Sequence, residues 1–125
     1  MIFGFENETA PLNDIEKKAA KIIAGQMVQW HTGSDKSVTA QQISNGMAQC
    51  FADFRDGNGR PYLNGARVRK IVNYIRTSGL CPRLIASSKG YYVSNDRNEL
   101  NEYITGLYAR ANAIKAVANA MEAGL

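Results

Sequence analysis

Seven basic side chains lie between Gly57 and Asn95, a stretch that contains no aspartate or glutamate. They are Arg60, Arg67, Arg69, Lys70, Arg76, Arg83 and Lys89. Guanidinium and ammonium groups at this density can neutralise phosphates, so the pattern predicts a polyanionic partner. The rest of the chain carries eight basic and eleven acidic residues. The formal net charge of +4 is therefore the sum of a positive middle segment and acidic flanks.

The other reactive residue types form no catalytic or metal-binding pattern. His31 is the single histidine, and Cys50 and Cys81 are not spaced as a metal-binding pair. The loop that begins at Asp56 fails as a calcium loop, because its twelfth position is Arg67. No paired carboxylates or Ser/His/Asp grouping stands out. We therefore expect a protein that is not an enzyme and that has no metal and no cofactor.

Two amphipathic helices precede the basic segment. Apolar residues at steps of three and four predict the first helix over residues 12–30. The second helix follows a cap at Ser37 or Thr39 and reaches Phe54, and Gly46 is a point at which it could break. These helices supply much of the apolar core that must position the basic side chains.

The basic residues themselves fall on a third helix and a hairpin. Asn64 caps a helix that runs to about Ser78 and whose face opposite the apolar stripe is basic and amide-bearing. Residues 84–86 and 91–93 are strand-like, and residues 87–90 supply the turn. This order predicts an α+β, mostly α, winged helix-turn-helix domain over residues 12–94, made of three helices and a hairpin wing.

In such a domain the third helix enters the major groove of duplex DNA, and the wing contacts the neighbouring backbone. The arginines and lysines would neutralise phosphates, whereas Asn73 or Lys70 would read base edges. A basic face that is merely solvated surface is the alternative. Core packing is preferred over base stacking for at least one of Tyr91 and Tyr92. The predicted DNA-binding residues are Asn64, Arg67, Arg69, Lys70, Asn73, Tyr74, Arg76, Thr77, Arg83, Ser88 and Lys89.

Three segments resemble small phage and prophage winged helix-turn-helix DNA-binding proteins. Residues 39–43 (TAQQI) are similar to the opening of the helix-turn-helix, and residues 64–76 to its recognition helix. Residues 79–93 resemble its wing, with Gly-x-x-Pro, two serines and Gly-Tyr-aromatic-aliphatic. The resemblance implies a regulator of transcription or replication, encoded by a phage or mobile element, that binds double-stranded DNA in the cytoplasm of a bacterial host. The loop at residues 55–63 is longer than the short turn of that family.

A long final helix is predicted over residues 95–125. It either packs on the domain, against the first helix, or pairs with a second copy in a homodimer. A second functional hypothesis makes the protein a winged-helix adaptor in a phage replication or packaging complex, with this helix and Trp30 as its contacts to other phage proteins. The heptad-spaced interface candidates are Leu100, Ile104, Leu107, Ala111, Ile114, Ala118 and Met121.

Length and composition set the remaining bounds. A chain of 125 residues is expected to form one domain, and 45% hydrophobic with 21% charged residues is typical of a globular protein. No apolar run approaches the roughly 20 residues that span a bilayer, so no membrane partner is expected. Residues 1–11 are predicted to be a flexible tail without the features of a signal peptide. Two cysteines are consistent with a reducing cytoplasm.

Overall fold

A computed structural model describes residues 10–125, which form an α+β fold with four helices and one antiparallel hairpin. This confirms the predicted mostly helical α+β class. The first nine residues of the predicted tail lie outside the described residues. The elements are α1 (Asp14–Trp30), α2 (Ala40–Cys50), α3 (Gly65–Thr77), β1 (Leu84–Ser87), β2 (Gly90–Val93) and α4 (Arg97–Ala123), with 3-10 turns at Ser34–Lys36 and Ala52–Phe54.

Each helix begins at a polar cap, and those of α2 and α3 are caps that the sequence predicts. Asn13 and Thr39 form complete capping boxes at the starts of α1 and α2. The side chains of Asn64 and Asp96 accept backbone hydrogen bonds at the starts of α3 and α4. Such caps satisfy amides that the helix itself leaves unpaired, and each is typically worth about 1 kcal/mol. The helix α2 runs through Gly46 without a break.

The helix α2 is shorter than its apolar spacing predicts. It ends at Cys50, and Phe51 is extended, so the prediction that helix reaches Phe54 is wrong. The extended residue and the following 3-10 turn place Phe54 in the core, where it is 1% exposed. The Arg55 side chain then donates from Nε to the Ala48 carbonyl over 2.6 Å. This bond satisfies one of the last carbonyls of α2 and favours its early end.

Polar groups order the long loop between α2 and α3. The Asp56 carboxylate accepts backbone hydrogen bonds from Asn58 at 2.8 Å and from Arg60 at 3.0 Å. Farther along, the Ser44 hydroxyl of α2 donates to the carbonyl of Leu63, whose side chain is buried. The loop therefore fixes the start of α3 against α2 despite its length.

The hairpin pairs with a third segment of chain. Its register runs from Leu84 opposite Val93 to Ser87 opposite Gly90. On the other side of β2, Val38 and Tyr91 exchange backbone hydrogen bonds of 2.9 and 2.7 Å. The connection between α1 and α2 thus lies along β2 as a short additional strand segment. Sequence patterning did not predict this pairing, because it depends on residues more than 50 positions apart.

The core lies between α1, α2, α3 and the inner face of the hairpin. Tyr91 packs half-buried against this core, which confirms the prediction that at least one of the two tyrosines packs there. Tyr92 is buried on the other face of β2, where its hydroxyl donates to the Glu99 carboxylate over 3.1 Å. The α1 and α3 helices pack directly against one another. The largest enclosed side chains are those of Phe54, Ile23, Met27, Met47, Leu63, Ile71, Ile75 and Val68.

The helix α4 leaves this body after its first turns. Tyr103 is partly buried against the body, but every residue from Ile104 onward is exposed. One of the two predicted alternatives was that the heptad stripe packs on α1. Within residues 10–125, the stripe does not pack there. No helix in that range combines the length and apolar character needed to cross a membrane.

Candidate nucleic-acid interface

The helix α3 turns a polar face outward because its apolar residues are held in the core. Val68, Ile71, Val72 and Ile75 are buried. The residues between them therefore point to the opposite side at helical spacing. We define the basic surface as the exposed or partly exposed residues of this side of α3 and of the hairpin. They are Arg69, Lys70, Asn73, Thr77, Arg83, Ser88 and Lys89.

The α3 part of the basic surface adjoins the hairpin. Burial raises the pKa of the Tyr91 hydroxyl, and the positive charges of Arg69 and Arg76 oppose that shift. These charges therefore lie close to β2. The side of α3 that carries Arg69 therefore adjoins β2, the second strand of the hairpin.

The tip of the hairpin has a fixed geometry that presents Lys89. The backbone N–H of Lys89 donates to the Ser87 hydroxyl over 3.2 Å, and that hydroxyl donates to the Gly90 carbonyl over 2.9 Å. Gly90 has φ +125°, and a Cβ there would lie 2.5 Å from the Val38 carbonyl oxygen. The close approach of the two backbones explains why the turn ends in glycine. Lys89 itself is exposed.

Arg67, a predicted DNA-binding residue, is instead directed toward α1. Its guanidinium donates to the Glu16 carboxylate at 2.5 and 2.6 Å, and to the carbonyls of Ala10 and Pro11 at 2.9 and 3.1 Å. The two charged side chains are only 11% and 4% exposed. We therefore leave Arg67 out of the basic surface and assign it to the packing of α1 against α3.

Glu16 titrates in an environment that Arg67 dominates. Burial alone would raise the pKa of the Glu16 carboxyl. Hydrogen bonds from the Arg67 side chain and the Asn13 backbone, together with the charge of Arg67, outweigh burial and hold that pKa below its ordinary value. The same pairing raises the pKa of Arg67. Both groups are therefore charged at neutral pH.

Four other predicted site residues differ in whether their side chains bond to the local backbone or are presented at the surface. Asn64 is the cap of α3, and its side-chain oxygen accepts from the backbone of Arg67. The Thr77 hydroxyl donates to the Asn73 carbonyl one turn earlier. Tyr74 is exposed on α3, on the side that also carries Arg67. Asn64 and Thr77 thus have local backbone roles, whereas Asn73 presents its amide at the surface.

Arg76 contacts a residue that the sequence did not single out. Its guanidinium donates to the Tyr103 hydroxyl over 3.0 Å and lies 5.5 Å from the centre of the Tyr103 ring. The same hydroxyl accepts from the backbone N–H of Ala86 over 3.3 Å. Tyr103 therefore joins α3, β1 and α4. No pattern in the sequence indicates these polar contacts, because they join residues 17 and 27 positions apart.

The described residues contain no group of three His, Cys, Asp or Glu side chains arranged to hold a metal ion. No protein-family model matches the chain, and no curated protein or solved structure matches it. The geometry of the basic surface is therefore the basis for a functional assignment.

Proposed function

We propose that this protein binds duplex DNA without catalysis, as a winged-helix protein in which α3 lies in the major groove and the β1–β2 hairpin is the wing. One observation carries the proposal: basic side chains are exposed or partly exposed on the outward side of α3 and at the tip of the hairpin, within residues 57–95, a segment that contains no acidic residue. Backbone phosphates are the ligands that such a surface would attract.

The order and pairing of the elements support this assignment. Three helices precede the hairpin, and α2 packs directly against α3. The Val38 segment adds a third paired segment to the hairpin. A helix that is held by a preceding helix and is flanked by a fixed hairpin can enter a groove while the hairpin contacts the adjacent backbone.

The residue types suggest a division of roles. Lys89 at the hairpin tip and Arg83, which immediately precedes β1, carry charges suited to phosphate contacts, which fix position without reading sequence. Asn73 is exposed on α3, and its amide can pair with the two hydrogen-bonding atoms of an adenine edge. Lys70 on the same side can accompany it by contacting guanine or phosphate.

A pair of matched charge reversals tests the proposal. The double variant Arg69→Glu/Lys70→Glu should bind a mixed-sequence duplex at least about tenfold more weakly than the wild type, measured by fluorescence anisotropy. The control Lys17→Glu/Lys21→Glu makes the same change in net charge at exposed positions of α1. The proposal expects the control to retain most of the affinity, with circular dichroism verifying that both variants are folded. Equal losses would contradict a localised interface.

A second candidate function is a protein adaptor, and the exposed apolar stripe of α4 and the 62% exposed Trp30 favour it. An adaptor should retain its protein partner when Arg69 and Lys70 are reversed in charge. A DNA-binding protein should lose its DNA under the same change. The setting in a phage or mobile element, in a bacterial cytoplasm, is part of the proposal and rests on the resemblance of residues 39–43, 64–76 and 79–93.

A further inference from the structure

The helix α4 carries an apolar stripe that the described body does not cover. Its large members are substantially exposed: Ile104 at 47%, Leu107 at 37%, Ile114 at 68% and Met121 at 70%. A helix in water depends mainly on packing of its apolar face for stability, and a long exposed stripe marks an interaction surface. The 27-residue helix therefore has a face suited to a partner.

We infer that this face pairs with α4 of a second copy of the chain, and that the two helices run antiparallel. In an antiparallel pair related by a twofold axis, facing residues have numbers that add to a constant. Centring the pair between Asn112 and Ala113 aligns all six heptad positions from 104 to 121. The facing pairs are Ile104 with Met121, Leu107 with Ala118, and Ala111 with Ile114, each taken across the two copies.

Side-chain volume favours this arrangement. Each alanine of the stripe faces a large aliphatic side chain of the other copy, so the four central layers have similar volume, and only the two Ile104–Met121 layers at the ends are larger. In a parallel pair in register, each residue would face itself. Ala111 would then meet Ala111 and Ala118 would meet Ala118, between layers of leucine, isoleucine and methionine. That alternation of thin and thick layers packs less uniformly than the antiparallel one.

Charge favours the same arrangement. In a parallel pair, Arg110 at one edge of the stripe would lie beside Lys115 of the other helix, and this repulsion would occur twice. In the antiparallel pair, Arg110 lies near Val117, and Lys115 lies near Tyr108. No like charges then meet along the edges of the stripe.

The pair also borders a groove in the body. A space of about 390 Å³ lies where α4 leaves, with an apolar wall that includes Pro82, Leu84, Ile104 and Leu107. Asn73 and Thr77 of the basic surface line its polar side. Because Ile104 and Leu107 face Met121 and Ala118 of the second copy, the end of the second helix would lie beside the apolar wall of this groove and leave its polar side open. The apolar wall of the groove is therefore continuous with the inferred interface.

Disulfide cross-linking distinguishes the two orientations. In the antiparallel pair, position 104 of one copy lies about 25 Å from position 104 of the other, since 17 residues of helix at ~1.5 Å rise separate them. A disulfide requires Cα atoms within about 7 Å. Neither Ile104→Cys nor Met121→Cys should cross-link alone, whereas an equal mixture should give the mixed disulfide dimer. The background is Cys50→Ser, because Cys50 is exposed and Cys81 is buried.

Light scattering on the unmodified chain supplies the companion measurement, and it does not depend on the DNA-binding proposal. It should give twice the chain mass at micromolar concentration. Ile114→Glu should halve that mass, whereas Asn112→Glu, two residues away and outside the stripe, should not. Cross-linking of each single-cysteine variant with itself would overturn the antiparallel arrangement. A monomeric mass at all concentrations would overturn self-pairing altogether and leave the face to another protein.

Discussion

Arg67 of α3 and Glu16 of α1, which are 51 positions apart in the chain, form a two-pronged ion pair that is almost enclosed. The guanidinium also holds the carbonyls of Ala10 and Pro11. Arg67, which the sequence suggested for phosphate binding, thus connects α3 to α1 and to the residues that precede α1. The pair makes a specific prediction for stability.

Replacement of Glu16 by glutamine should destabilise the protein by about 3–5 kcal/mol, because it leaves the Arg67 charge buried without its counter-charge. Urea unfolding followed by circular dichroism measures the difference in the free energy of unfolding. Asp14→Asn is the matched control, since Asp14 is an exposed acid on the same turn. Its cost should stay within about 0.5 kcal/mol. Similar values for the two variants would contradict the role given to the pair.

The same pair should make stability depend on pH in acid. The folded pKa of Glu16 lies below its ordinary value of 4.5, so the unfolded chain takes up the proton first as the pH falls. The contribution of Glu16 to the free energy of unfolding is therefore complete above pH 4.5, its ordinary pKa, and is lost as the pH falls through its folded pKa. Unfolding free energies measured between pH 6 and pH 3 should decline less steeply in Glu16→Gln than in the wild type. Equal slopes would show that other carboxyls carry the effect.

Gly90→Ala should destabilise the protein by at least about 2 kcal/mol, because the backbone there has φ +125° and the new Cβ would meet the Val38 carbonyl. Thermal unfolding measures this effect. Gly46→Ala is the control, since it has no heavy atom within 4 Å of an added Cβ and lies within α2. That change should be neutral or stabilise by up to about 1 kcal/mol. A Gly90 variant as stable as the wild type would mean that the hairpin does not lie against Val38.

Tyr103→Phe should loosen the junction of α4 with the hairpin. The hydroxyl is a partner of the Ala86 amide, and its removal should cost about 1 kcal/mol. Hydrogen exchange at the Ala86 amide should become several-fold faster. Tyr108→Phe should leave that amide unchanged, because Tyr108 is 70% exposed. Unaltered exchange in the Tyr103 variant would rule out the hydroxyl as the partner of this amide.

Asn73→Ala should reduce discrimination between duplex sequences more than it reduces overall affinity, since amide contacts to bases carry sequence information. Selection of bound duplexes from a random pool, followed by competition with unselected DNA, measures the ratio. Lys89→Ala should lower the affinity for selected and unselected DNA to the same degree. A loss of discrimination in Lys89→Ala but not in Asn73→Ala would reverse the assigned roles.

Local signals in the sequence predicted the helix starts and the hairpin well. Caps such as Thr39 and Asn64 act within a few residues, so their effect can be read from spacing alone. The early end of α2 was missed, because it depends on the insertion of Phe54 into a core built by distant elements. The heptad pattern of α4 likewise identified an apolar face without determining which surface it meets.

For the basic surface, sequence reasoning identified the exposed residues of the hairpin and α3 but not the partners of Arg67 and Arg76. Both arginines have basic neighbours and helical spacing that resemble those of Arg69. Their contacts with Glu16 and Tyr103 arise only when α1 and α4 are placed beside α3. The density of basic residues along the chain predicts that a basic surface exists. Tertiary packing determines which of those side chains contribute to that surface.

The salt dependence of DNA binding tests the central claim most directly. Association constants for a fixed duplex, measured by anisotropy between 50 and 300 mM salt, should fall steeply on a double-logarithmic plot, because bound phosphates release counterions. The slope for Lys89→Ala should be shallower by about one, reflecting one lost phosphate contact, while Lys21→Ala should keep the wild-type slope. Absence of binding at low salt, or a slope near zero, would contradict the proposal that the basic surface binds duplex DNA.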